Sequence, residues 1–113
     1  MGSTVVKPAD WTVTGVSGAD TAQTLTKAAA SGASRHFVTH ISVSFGAATE
    51  TATGVLVQLE MNDVVKMSWY ATNDLVVDFT HPLEGSAGDT VQLVIGQGGT
   101  SVVSIGNLAG FTL

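Results

Sequence analysis

Apolar and polar residues alternate with a period of two along almost the whole chain, and each alternating run stops at a cluster of Gly, Asn, Asp or Ser. That period gives an extended strand one buried and one exposed face, whereas an amphipathic helix needs a period near 3.6. Eight such runs are legible, at residues 11–16, 21–30, 34–45, 55–61, 65–70, 75–80, 91–95 and 102–113. The chain is therefore read as all-β, about eight antiparallel strands in a jelly-roll-like β-sandwich, with a closed up-and-down barrel as the alternative. Strand count alone does not separate the two.

The individual runs carry more detail. Trp11 and Val13 share a face, and the Thr-rich run at 21–30 reads as an exposed strand. In the run at 34–45, Phe37, Ile41, Val43 and Phe45 fall on one side, and His36, Val38, His40, Ser42 and Ser44 on the other. The residues around Asn62 and Asp63 join two strands. A plain two-residue turn would set Leu59 opposite Lys66. A hairpin shifted by one residue instead matches Val57 with Trp69, Leu59 with Met67 and Met61 with Val65, so an odd-length or bulged hairpin is expected. His81-Pro82 should end the next strand at Thr80, because proline has no amide hydrogen to donate.

At 113 residues the chain fits a single core. Residues 11–113 are assigned to one β-sandwich domain, and residues 1–10, which show no alternation, to a flexible N-terminal arm. Without cysteine the fold has neither disulfides nor thiolate metal sites. No signal-peptide pattern opens the chain and no apolar run approaches the ~18 residues of a membrane span, so no membrane partner is expected. Charge is the unusual quantity. Asp, Glu, Lys and Arg make up only 12% of the chain, about half the ~25% of an ordinary soluble domain. Such an exterior is expected to be covered by copies of the chain or by a larger partner. The net charge of -5, with Lys7, Lys27, Arg35 and Lys66 scattered, repels a phosphate backbone, so nucleic acid is not an expected partner.

Chemical constellations are sparse. His36 and His40 lie four residues apart on one strand, ~13 Å at strand rise, too far to share a metal. Asp74 and Asp78 are similarly spaced, beyond the ~5–9.5 Å of paired glycosidase carboxylates. Gly15-Val16-Ser17-Gly18-Ala19 lacks the last glycine of a nucleophile elbow and any following helix, and Gly96-Gln97-Gly98-Gly99 is too short for a phosphate loop. No catalytic residue, metal or cofactor is assigned. Trp11 and Tyr70 are the two side chains that could stack on a sugar ring.

Taken in order, the segments TLTKAAASGASRHFVTHISVSF, GVLVQLEMNDVVKMSWY, LEGSAGDTVQLVIG and SVVSIGNLAGFTL resemble small all-β proteins of tailed-bacteriophage virions, the trimeric jelly-roll decoration or cement proteins and the heads of short capsid fibres. The resemblance spans residues 21–113. Its most specific pieces run from Arg35 to Thr39 into Ile41 to Ser44, and from Gly110 to Leu113. It implies a non-enzymatic structural protein, a homo-oligomer and specifically a trimer, that binds the major capsid protein on the outer surface of the virion. With neither coiled-coil heptads nor collagen-like triplets in residues 1–10, a long stalk is not expected. On this reading His36, Val38 and His40, turned away from the Phe37 side, are the candidates for the subunit interface. Two further readings stand against it: a carbohydrate-binding adhesion module on the same sandwich, with a glycan as partner, and a small hydrolase assembled from scattered residues.

Overall fold

A computed structural model describes residues 9–47 and 54–113; the expected arm at residues 1–10 and the small-residue loop at 46–54 lie largely outside them. Among the described residues the structure holds eight strands and no helix: β1 (Trp11–Val16), β2 (Gln23–Lys27), β3 (His36–Phe45), β4 (Val55–Met61), β5 (Val64–Ala71), β6 (Leu75–Glu84), β7 (Val91–Ile95) and β8 (Ser104–Thr112).

Their pairing follows one rule. β1 pairs with β8, β2 with β7, β3 with β6 and β4 with β5, all antiparallel. The chain is thus a long hairpin, with its apex at β4–β5, rolled until β3 also meets β8 and β4 also meets β7. Two four-stranded sheets result, β1-β8-β3-β6 and β2-β7-β4-β5, and every connection except β4–β5 crosses from one to the other. That winding is a jelly roll and decides against the up-and-down barrel, in which neighbours in sequence are neighbours in the sheet.

The core lies between the sheets. Val57, Leu59, Leu93, Ile95, Ile41 and Leu108 are fully buried there, each removal from water being worth ~1.5–3 kcal/mol. At the β1–β2 side the sheets approach closely. A Cβ on Gly106 would sit 2.7 Å from Ile95 Cδ1 and 3.0 Å from Leu25 Cδ1, so glycine is retained there for space. On the opposite side β6 and β5 barely touch, and the sandwich is open along that edge.

The hairpin has the expected bulge. Val57 faces Trp69 and Leu59 faces Met67, but Met61 faces Val64 rather than Val65, because the register shifts between Leu59 and Glu60. Asn62 and Asp63 take φ of 51° and 61°, the left-handed pair that a two-residue turn of a twisted hairpin requires. The extra residue is absorbed in β5 instead of in the loop.

β3 departs from its expected faces. Its register with both β8 and β6 shifts between Val38 and His40, so Thr39 is an extra residue and the alternation reverses across it. Ile41 and Val43 point inward as expected, but so do His36 and Val38, at 2% and 0% exposure. Phe37 turns to the outer side, where it stacks on the buried Phe111 with ring centroids 4.8 Å apart and 7° between planes. Only His40 of the three interface candidates faces outward; the outward placement of His36 and Val38 is corrected. Opposite Thr39, β6 passes from Asp78 to Leu83 without pairing β3. Proline does interrupt the ladder, as expected, yet the strand continues to Glu84 rather than stopping at Thr80.

Candidate functional site

His36, expected on the surface, is instead the centre of a buried lock between the two chain ends. Its Nε2 lies 2.7 Å from the carbonyl oxygen of Ala28. A carbonyl only accepts, so Nε2 carries a proton and Nδ1, 2.7 Å from Thr112 Oγ1, takes the hydroxyl hydrogen. Thr112 Oγ1 in turn accepts the Trp11 indole N–H at 3.1 Å. The Trp11 ring meets His36 edge-on at 5.5 Å, and Lys27 Nζ sits 5.5 Å from the Trp11 ring centroid. Every polar atom of this cluster has a partner, and the cluster ties β1, β2, β3 and β8 together.

The remaining motif residues are also structural. Ser17 Oγ accepts the amide hydrogen of Ser104 at 2.8 Å and donates to the Gly18 carbonyl, so Gly15 and Val16 end β1 and the chain then turns at a tied Ser17. Gln23 Nε2 donates to Ser104 Oγ and to the carbonyls of Ser104 and Gly15. Gly99 has φ of 114° and its carbonyl accepts from the Val102 amide at 3.0 Å, which accounts for the glycine run as a tight turn. Among the described residues no three His, Asp or Glu side chains gather as a metal site. Of the two sugar-stacking candidates, Trp11 is engaged as above, and Tyr70 stands 66% exposed on β5.

Two surfaces stand out. The first is the outer face of the β1-β8-β3-β6 sheet. Its rows read Thr12, Ala109, His40, Asp78, then Thr14, Asn107, Ser42, Val76, then Val16, Ile105, Ser44. The one carboxylate on those rows, Asp78, is paired with His40 at 2.6 Å, and Asn107 is tied to Ser42 at 3.0 Å. Val16, Val76 and Ile105 are exposed. The next row outward, Phe111, Phe37 and Glu84, adds a second carboxylate, which Arg35 pairs at 2.6 Å, so the face combines three exposed aliphatic side chains with two paired carboxylates.

The second surface is the β4–β5 hairpin, which carries Leu56, Val64, Val65, Met67 and Tyr70, five of the nine large apolar side chains exposed on the described chain. Val64 and Met67, opposite the buried Met61 and Leu59, are exposed because β5 ends its sheet and β6 does not close over it, whereas Leu56, Val65 and Tyr70 lie on the outer side of the sheet. Sequence periodicity marked this hairpin as apolar but contained no sign that it was an edge. The chain matches no protein-family model, no curated protein and no solved structure.

Proposed function

We propose that this protein is a non-enzymatic structural protein that binds the outside of a tailed-phage capsid as an oligomer and holds neighbouring capsid subunits together. The observation that carries the reading is the outer face of the β1-β8-β3-β6 sheet. A broad face whose two carboxylates, Asp78 and Glu84, are both paired suits contact with a large protein surface, since its exposed Val16, Ile105 and Val76 gain by burial. The resemblance over residues 21–113 supplies the capsid as the larger partner. The mechanism is linkage. A protein that binds only the assembled shell stabilises it by RT ln(1 + [L]/Kd), ~2.7 kcal/mol per site at a hundredfold excess over Kd. The net charge of -5 suits an external position, away from packaged DNA.

Co-sedimentation with purified capsids of the cognate phage tests this. Saturable binding that Val16→Lys and Val76→Lys abolish is expected, together with a raised temperature of capsid disruption. Absence of co-sedimentation by a folded chain would sink the reading.

A further inference from the structure

We infer that the exposed edge of β5 is the site of self-association, and that its occupant is β5 of a second copy, paired antiparallel across a twofold axis. This deepens the proposed function, on which it rests only for the purpose of the assembly. A strand edge presents unpaired amides and carbonyls, which natural proteins blunt with charge, proline, bulges, short length or cover. The other three edges are treated in these ways. β6 carries Asp78, Pro82 and the break in its register with β3 opposite Thr39; β2 is five residues long and ends at Lys27; β1 lies beside β2, whose Gln23 side-chain amide donates to the Gly15 carbonyl. β5 has eight residues; its one charge, Lys66, is also its bulge, and Met67 to Ala71 beyond it carry no charge, proline or bulge.

Both of its faces are also apolar and open. Val64 and Met67 point toward the missing part of the core at 54% and 37% exposure, and Val65 and Tyr70 lie on the outer side at 45% and 66%. Edge pairing covers the inner pair, Val64 and Met67, and sets Val65 and Tyr70 alongside the new strand on the outer side. The β5 backbone and the half-buried Trp69, Val77 and Phe79 at the open edge add to the contact.

A partner must therefore offer both a strand and an apolar inner face, and a second β5 offers both. A twofold axis normal to the sheet keeps inner faces with inner faces. Centred on Ser68, it sets Met67 against Trp69 of the second copy and Lys66 alongside Tyr70 of the second copy. No two like charges stand opposite one another, and the two open cores become one.

The chain has no cysteine, so Ser68→Cys gives an unambiguous test. Residues opposite one another in an antiparallel pair lie ~4.5–5.5 Å apart at Cα, within disulfide range. Expected results are a wild-type mass of two copies by light scattering at micromolar concentration, a covalent dimer of Ser68→Cys under mild oxidation, and no such dimer for Ser42→Cys. Met67→Glu should weaken association at least tenfold with its circular dichroism unchanged. Should that variant unfold, concentration-dependent amide-exchange protection confined to β5 in the wild type replaces it as the supporting result. A wild-type mass of one or of three copies, or a Ser68→Cys chain that does not cross-link, would each overturn the inference. Capsid co-sedimentation separates the two proposals. A chain that binds capsids without pairing through β5 sinks only this one, and a β5-paired dimer that ignores capsids sinks only the other.

Discussion

Replacing Thr112 by Val exchanges one hydroxyl for a methyl group and leaves the branching of the side chain unchanged. In the native protein that hydroxyl accepts the Trp11 N–H at 3.1 Å and donates to His36 Nδ1 at 2.7 Å. His36 is 2% exposed, so water cannot replace the lost partner, and an unsatisfied buried nitrogen costs ~1–3 kcal/mol. Trp11 is only half-buried, and loss of its bond adds ~0.5–1.5 kcal/mol. Thr112→Val should therefore destabilise by about 2–4 kcal/mol, a large share of the ~5–15 kcal/mol that holds a domain together. For a chain of this length that corresponds to a fall in Tm of about 10 °C. Urea unfolding followed by tryptophan fluorescence measures it, with Thr112→Ser as the companion. Serine keeps the hydroxyl and should lose less than ~1 kcal/mol. A Thr112→Val protein within ~0.5 kcal/mol of wild type would show that His36 and Trp11 do not depend on this hydroxyl. A loss in Thr112→Ser as large as that in Thr112→Val would show that keeping the hydroxyl does not keep the cluster, and in either case the lock is refuted.

Gly106→Ala should cost ~1–3 kcal/mol in the same assay, since its methyl must displace Ile95 Cδ1 and Leu25 Cδ1 where the sheets are closest; an unchanged midpoint would mean the sheets part freely there. Asp63→Gly should stabilise by roughly 0.5 kcal/mol, because φ of 61° is strained for an aspartate and free for glycine, and a lower Tm would contradict the turn geometry. Asp78→Asn should change stability by less than ~0.5 kcal/mol despite its short contact with His40, because the carboxylate side chain is 78% exposed. Refolding should take milliseconds to seconds in stopped-flow fluorescence, since every strand pair except β4–β5 joins distant parts of the chain; a microsecond phase carrying the full amplitude would oppose this.

The eight strands and most of the β4–β5 register were legible because both rest on local chemistry. Val57 and Leu59 can share an apolar face with Trp69 and Met67 in only one register, and the partners lie within fifteen residues of each other. The faces of His36, Val38 and Phe37 were not legible. Thr39 suits a strand equally well in or out of the ladder, and only the rows of β8 and β6 on either side of β3 make it a bulge. Burial of His36 likewise depends on Thr112 and Trp11, residues brought from the two ends of the chain by the roll.

Alternation by itself determined an all-β chain of about eight strands, since side-chain direction in a strand is a matter of neighbouring residues, and composition determined its sparse charge, while the choice of sandwich over barrel fell to the winding. Which strand became an edge, and therefore which apolar residues stayed in water, was decided by the sheet order alone. Val64 and Met67 of β5 stand on the inner rows opposite the buried Met61 and Leu59, and they are exposed because the tertiary winding placed β5 last in its sheet with β6 barely reaching it.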